Sequence, residues 1–476
     1  MKTKSYPLNI SRQIDTNFRN YALYVLENRG IPSFYDGLTN VQRFILLNAP
    51  TTFNKTISLV GSCISDGYHH GDKSLIGAVN KLARPFGNSE QLILGDGFFG
   101  TPINQEASAA RYTSAKINPK IHEMIKKSEF LNVKNEDDTW DSLWVDLPIG
   151  LTNTIIGIAV GYKTTILPRD LNDIQKFLDG KAKQIIPKFK GFTGKVSRYR
   201  GMDKTWLIEG VTERRDFEQI IRVTELPPLM KYGSFLKKLD SIISSTNANV
   251  KVTNNSSTNI DISIKLVGQT DLWEKFSDSV EKATKMLVTE TPVFVKDGIV
   301  LEYEKIEDYV NDYRYRLADL KVRRITHFLN INTEELVFQR CKEKYLLFML
   351  ANKGKVYKEN EIDAFIKDIT NSLNEQVSSS VKRRLNAILL RSLSDEELDR
   401  TRKRIAELEE EVKKQQVELN DATAVFSVME DTSLKRGTQN KSVKAINLLE
   451  EEEEIDGIEV FGNSVNEEIY DDEENN

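Results

Sequence analysis

The chain is poor in the residues that staple or metallate small folds. Among 476 residues there are two cysteines, Cys63 and Cys341, and four histidines. Two cysteines so far apart argue against a disulfide framework and against a zinc site, and such sparse usage fits a reducing, cytoplasmic setting. No apolar run approaches the roughly 20 residues needed to cross a bilayer. The N-terminal stretch MKTKSYPLNISRQIDTNF has no apolar segment of the secretory kind, so neither a membrane nor a secreted protein is expected. H-E-x-x-H and D-x-D are both absent, which leaves no evident metal site in this chain.

What is present is length, charge and mixed patterning. The chain exceeds what one core organises, so several domains are expected. The net charge of −5 is unevenly placed: Glu450–Asn476 holds thirteen acidic residues and no Lys or Arg, so residues 1–449 stand at +8. A basic body with an acidic appendage suits a nucleic-acid binder, and equally a globular protein with a solvated tail.

Residues 12–29 read as a helix with Phe18, Tyr21, Ala22, Tyr24 and Val25 on one face. Pro32 ends it, and Tyr35-Asp36-Gly37 is a turn. Further helices are expected over Val41–Leu47, Lys55–Asp66 and Lys73–Ala83, the last capped by Asp72. Leu92–Leu94 and the segment after Gly97 read as a short hairpin. Short helices followed by a hairpin outline a winged helix-turn-helix. From about 140 to 300, WVDLP, GIAVGY, GFTGKVSRYRG, TWLIEGV, QIIRVTELP and NIDISIKLV read as strands, with a polar loop at Asn247–Thr258. Tyr309–Phe348 is a long charged helix. Ser394–Glu397 makes a capping box for a second, in which Leu398, Ile405, Leu408, Val412 and Leu419 fall at heptad spacing, with Thr401 and Gln415 as polar exceptions.

Two glycine motifs are decoys. GDGFFG (Gly95–Gly100) matches a dinucleotide fingerprint, but Pro102 comes two residues later and no helix pattern follows at once. GFTGKVS has Phe189 where a P-loop needs its first glycine, and Val196 where it needs Ser or Thr.

The chemistry concentrates in an ordered set: GYHHGD (Gly67–Asp72), a helix, GDGFFG, then ASAARYT (Ala107–Thr113). A tyrosine is a weak nucleophile near neutral pH unless a base, metal or cation assists it. Arg111 beside Tyr112 supplies fixed positive charge that can stabilise a phosphate under attack. His70 adds a donor for the same phosphate, and Arg29 and Arg43, flanking turns, could hold neighbouring ones. Each alone is more often a surface cation or a packing side chain; the ordered set is what points to a tyrosine acting on a phosphodiester.

With these blocks the chain resembles the breakage-reunion subunit of type IIA DNA topoisomerases, the group that contains gyrase A, and its T-even phage members most of all. The resemblance begins at YALYVLENRGIPSFYDGLTNVQR (21–43), runs through GYHHGD, GDGFFG and ASAARYT, and resumes at LTNTIIGIAVGY (151–162) and VTELPP (223–228). It spans roughly residues 15–425. It implies a catalytic Tyr112 that leaves a 5′-phosphotyrosyl bond, supported by Arg111 and His70. It implies a DNA surface with Arg29, Arg43, His69 and Lys73, and an Ile158 that wedges between base pairs; read as a bare strand residue, Ile158 is more readily a buried one.

The implied architecture is multidomain α+β: an N-terminal arm helix (1–30), a winged-helix domain with the tyrosine (31–130), a mixed α/β tower (131–300), an antiparallel coiled coil with a small helical exit gate (301–430) and a disordered acidic tail (431–476). Implied partners are double-stranded DNA, a second copy of the chain, and a separate protein that binds ATP and the metal, so Mg2+ and ATP would be held by that partner. The setting would be cytoplasmic, the bacterial host cytosol if the chain is phage-encoded.

Departures from the family pattern are Thr39-Asn40 for Lys-Pro, which removes one basic phosphate contact, Tyr68-His69 in the histidine turn, and Thr154 for a glycine. The chain stops without a β-propeller extension, so relaxation, decatenation and unknotting are expected rather than introduction of supercoils. A DNA-architectural protein on the same scaffold without cleavage, and a coiled-coil scaffold with an incidental basic face, are the rival expectations.

Overall fold

The computed structural model describes residues 10–134, 140, 142–352, 379–386, 394–436 and 443–447, with residues 364, 367 and 368. Helix α1 (Ile10–Val25) runs directly into a π-turn, Leu26–Gly30. Helices α2 (Asn40–Asn48), α3 (Thr56–Ser65) and α4 (Asp72–Ala83) follow where the periodicity predicts them. Thr39 opens α2 with a reciprocal capping box to Gln42, so the residue that departs from the family pattern helps satisfy the N–H groups at the start of that helix. The cap of α4 is Gly71, one residue before the expected Asp72, whose carboxylate accepts from the Lys73 N–H.

Strands β1 (Asn54–Lys55), β2 (Ile93–Asp96) and β3 (Ser114–Ile117) form an antiparallel sheet in the order β1-β3-β2. The expected tight hairpin after Gly97 is therefore corrected: β2 pairs with β3, beyond the whole 97–113 loop. Gly97 and Gly100, at φ 102° and 91°, turn the chain away from β2 rather than back along it. Helix α5 (Pro119–Lys126) then starts on an Asn118 cap.

The largest apolar core joins α2–α5 to residues 143–185 and to Phe294–Tyr313. It passes straight through the boundary expected at 130/131. WVDLP is irregular rather than a strand; it is held by Leu143 N–H to Asp36 (2.9 Å) and by Tyr313 Oη to the Val145 carbonyl (2.8 Å). Beyond it come the hairpin β4 (Ile155–Ala159)–β5 (Tyr162–Ile166) and helix α6 (Leu171–Leu178).

Strands β6 (Lys195–Arg198), β7 (Thr205–Glu209), β8 (Val211–Arg215), β9 (Ile220–Glu225), β10 (Val250–Asn254), β11 (Ile262–Leu266) and β12 (Lys285–Thr289) make two antiparallel sheets, β12-β7-β6 and β10-β11-β9-β8. Helices α7 (Tyr232–Thr246) and α8 (Trp273–Ala283) close a separate core over the second sheet. The expected loop at Asn247–Thr258 contains β10. Asn247, at φ 50°, ends α7 and lets the polar strand pair with β11. A buried Glu290 ties the β12-β7-β6 sheet to the main core, taking Arg169 Nη2 at 2.8 Å, Trp206 Nε1 at 2.7 Å and the Leu167 N–H at 2.6 Å.

Strands β13 (Val293–Lys296) and β14 (Ile299–Tyr303) lead into α9 (Ile306–Ala351), 46 residues and roughly 69 Å long. Helix α10 (Ser379–Asn386) lies within the expected small helical insert, most of the rest of which lies outside the described residues. Helix α11 (Asp395–Arg436) returns along α9. Lys342–Glu397, Arg340–Glu409, Asn332–Gln415 and Tyr315–Phe426 fix the antiparallel pairing. Leu398, Thr401, Leu408 and Ala422 are buried along the seam, and the polar Thr401 is satisfied by the Glu397 carbonyl.

The expected disorder from 431 on is corrected in part. Helix α11 continues to Arg436, and β15 (Val443–Asn447) pairs with β14 to give a β13-β14-β15 sheet. The acidic segment 450–476 lies outside the described residues. Among the described residues no helix is long and apolar enough to cross a membrane.

Candidate active site and nucleic-acid interface

The Arg111-Tyr112 pair sits on a turn mounted on the start of α3. The first N–H groups of any helix lack partners within it. Here the turn supplies them: Thr56 N–H donates to the Thr113 carbonyl (3.0 Å) and Ile57 N–H to the Ala110 carbonyl (3.3 Å). The Thr113 hydroxyl donates to Thr56 Oγ1 at 2.8 Å in a buried contact, and Tyr112 N–H closes the turn on Ala109. Pairing of β1 with β3 fixes the residues just after the turn, and Ser108 N–H to the Phe98 carbonyl (3.0 Å) fixes those before it. GDGFFG is the spacer beneath: a Cβ on Gly95 would strike the buried Phe99 ring. Tyr112 is held by its backbone while its side chain is 71% exposed. The Arg111 guanidinium lies 5.8 Å from the Tyr112 ring centroid.

The histidine turn forms at the other end of α3. Asp66 anchors it, accepting from Asn48 (2.8 Å) and Trp140 (2.9 Å) and pairing with Lys134 (3.0 Å). Burial works against its charge, but those donors hold the carboxyl below its usual range. Tyr68 is buried edge-on to Phe44 and to His70. His70 lies 3.1 Å from Tyr24 Oη through Nε2 and 3.2 Å from Arg29 Nη2 through Nδ1. Its pKa is pushed below the ordinary 6.5, first by burial, then by the charges of Arg29 and His69. A pocket of about 350 Å³ opens here, lined by Tyr24, Asn28, Asn40, Phe44, Tyr68 and both histidines.

Arg29 reaches His70 because α1 ends in a π-turn, a local widening often found at functional sites. The same turn abuts the β4–β5 hairpin. Gly30 and Gly157 pack backbone to backbone, and a Cβ on Gly157 would strike the Gly30 carbonyl oxygen. This sets Ile158, next to Gly157, beside Arg29. Ile158 is 75% exposed and Ile156, on the same strand face, is 64% exposed; the buried-strand expectation for Ile158 does not hold. Lys163 is its cross-strand partner.

The structure thus joins Arg29 to His70, seats Ile158 beside them, pairs Arg111 with Tyr112, and leaves His69 and Lys73 exposed. No hydrogen bond or ring contact links Tyr112 to His70 among the described residues. The assignment of Arg43 to a phosphate-contacting surface is corrected. Arg43 is 4% exposed, with Nε 2.6 Å from Asp36 and Nη2 3.0 Å from the Leu38 carbonyl. A guanidinium paired inside the core cannot also face DNA. Sequence reasoning missed Tyr24 as a partner of His70, having placed it on an apolar helix face; its polar tip was the available signal. Among the described residues no group of three or more His, Cys, Asp or Glu is placed to hold a metal ion.

Comparison with known proteins bears on the family and the fold. The family model for the A subunit of DNA gyrase/topoisomerase IV matches residues 29–433. The DNA topoisomerase medium subunit of Enterobacteria phage T4 is 31% identical over 241 residues, 48% of this chain and 53% of that one. DNA topoisomerase 2 of Arabidopsis thaliana is 27% identical over 368 residues, 70% of this chain and 24% of that one. The chain therefore spans about half the length of the phage protein and about a quarter of the plant enzyme. In fold it matches the DNA-binding, cleavage and re-ligation domain of Plasmodium falciparum topoisomerase II with a TM-score of 0.69 at 18% identity, over 89% of this chain and 64% of that one. With most of its length matched by the family model, the chain belongs to the family of DNA gyrase/topoisomerase IV A subunits.

Proposed function

We propose that this chain is the DNA-cleaving subunit of an ATP-dependent type IIA topoisomerase. The observation that carries the reading is the exposed Tyr112, rigidly mounted beside Arg111 on the α3 turn. The Tyr112 oxygen attacks a backbone phosphorus in line and loses its proton. The bond from phosphorus to the 3′-oxygen breaks, and that oxygen takes up a proton. One phosphoester replaces another, so the reverse attack by the 3′-hydroxyl reseals the strand without new energy input. Arg111 stabilises charge on the phosphate oxygens, His70 supports the scissile phosphate through the turn it organises, Arg29, His69 and Lys73 hold the flanking backbone, and Ile158 wedges into the duplex and bends it.

Two strands need two tyrosines, so the working form is a homodimer whose two-fold axis places one site on each strand. The segment around α2–α4 and β1–β3 is the winged-helix unit, the sheets of residues 195–289 form the tower, and α9–α11 form the coiled coil that ends in an exit gate. A second duplex passes through the break, giving relaxation, decatenation and unknotting. The described residues do not compose a magnesium site; the ion, like ATP, is the contribution of a partner protein, and the assembly works in the cytoplasm beside its DNA.

The test is covalent trapping. The complex with its ATPase partner is mixed with magnesium and labelled duplex, quenched with detergent, and compared with Tyr112→Phe. Label that migrates with this chain and disappears in the variant supports cleavage through Tyr112. Tight DNA binding with no trapped label in either would replace this reading with the architectural one.

A further inference from the structure

The histidine turn holds a hydroxyl with no assigned role. Tyr24, in the last turn of α1, places Oη 3.1 Å from His70 Nε2, while Arg29 Nη2 lies 3.2 Å from Nδ1. A guanidinium can only donate. Nδ1 must therefore accept, so in the neutral ring it carries no proton and the proton resides on Nε2. That N–H is donated to Tyr24 Oη, which keeps its own O–H for another acceptor. The Arg29 guanidinium also lies 5.9 Å from the Tyr24 ring centroid, so the three side chains brace one another. Burial and the adjacent cations hold the ring neutral, which is the state this arrangement requires. Both nitrogens of His70 are thus engaged, and the free donors at the turn belong to Tyr24 and Arg29.

We propose that Tyr24 carries the outward hydrogen bond of the histidine turn: Arg29 fixes the imidazole as the Nε2–H tautomer, and His70 donates to Tyr24 Oη, leaving the Tyr24 hydroxyl to donate outward. A phosphate arriving at the turn then meets the Tyr24 O–H and the Arg29 guanidinium, with His70 behind them as the group that orients both. This rests on the reading that the histidine turn faces the DNA to be cut. Tyr24 also continues the exposed line of Ile14, Phe18 and Tyr21 along α1, so a role in docking a protein partner is the competing outcome.

A double-mutant cycle on the full complex with its ATPase partner separates them. Tyr24→Phe, His70→Ala and the double variant are compared for covalent-cleavage rate at saturating DNA and for DNA affinity. Tyr24→Phe slows cleavage roughly three- to tenfold, the range of one hydrogen bond, leaves affinity within about twofold, and has a smaller effect once His70 is Ala, because the hydroxyl is then no longer oriented. An equal slowing in both backgrounds overturns the proposal and favours docking.

A second readout needs no cleavage. With 15N-histidine there are only four imidazoles to resolve, and the His70 ring reports its tautomer directly. The wild-type chain shows a single Nε2–H form that Arg29→Met releases, and Tyr24→Phe keeps that form but shifts the Nε2–H resonance because its acceptor is gone. A mixed tautomer in the wild type, or an Nε2–H resonance unchanged by Tyr24→Phe, overturns the proposal. If the wild-type complex never cleaves DNA, the function proposed above fails, and the Nε2–H resonance still decides the role of Tyr24.

Discussion

Replacing Arg43 with Met tests the reassignment of that residue from DNA to core. Asp36 is fully inaccessible and Arg43 nearly so. The Asp36 carboxylate accepts from Arg43 Nε at 2.6 Å and Nη2 at 3.3 Å, and from the Leu38 and Leu143 N–H groups at 2.9 Å each. Met leaves a buried carboxylate with only its two backbone donors. Breaking a buried pair from one side costs about 3–5 kcal/mol, and the remaining N–H bonds place this case near the lower end, about 3 kcal/mol. At roughly 2–4 °C per kcal/mol for a domain of a few hundred residues, the thermal midpoint falls by roughly 6–12 °C. Asp36→Asn added to Arg43→Met recovers much of that loss, because it removes the unpaired charge. DNA binding, measured by titration over a range of salt below the melting temperature, keeps its slope; loss of a true phosphate contact would lower that slope by about 0.9. An unchanged midpoint with a reduced slope would refute the reasoning and return Arg43 to the DNA surface.

Three further outcomes follow from described contacts. Gly157→Ala drives a methyl into the Gly30 carbonyl and costs about 1–3 kcal/mol; chemical denaturation reads the loss, and DNA bending falls with it because Ile158 shifts, whereas full bending would break the link between the hairpin seat and the wedge. His70 has a folded pKa below its unfolded value, so the unfolded ring binds protons more readily and stability rises with pH across that window. The histidine turn therefore weakens as pH falls from about 6.5, and wild-type melting is more acid-sensitive than that of His70→Gln; equal sensitivity would contradict it. Ending the chain after Ser442 removes β15 and bares the edge of β14, so that form aggregates more readily in light scattering, while ending it after Asn447 does not; identical behaviour would show that β15 contributes nothing.

The elements that bury one continuous stripe were legible in the sequence. Helices α2–α4 and the two long antiparallel helices came from period 3.6 and from caps such as Ser394, whose hydroxyl accepts from the Glu397 N–H. Long-range pairings were not. The partner of β2 lies past a loop whose length alternation cannot measure, and polar β10 is a strand because β11 offers it an edge, with few apolar residues of its own. At the site, residue types were readable and environments were not. Arg29 and Arg43 look alike in sequence, yet a π-turn presents one at the surface while Asp36 draws the other into the core. The exposure of Ile158 depends on the glycine-to-glycine contact, which no local pattern encodes.

The seating of the Tyr112 turn on α3 has a mechanical consequence. Its carbonyls cap the helix, the Phe98 carbonyl holds the residue before it and β1 pairs with the strand after it, so the tyrosine rides on a solid mount, not on a tether. A DNA end bonded there would travel only as far as the whole helical unit travels. Opening a gap between two such ends then becomes a displacement of two bodies, with little slack stored in either loop. If the chain cleaves DNA as proposed, the severed ends would return to register when the bodies return, and fidelity of rejoining would be a property of how the halves dock.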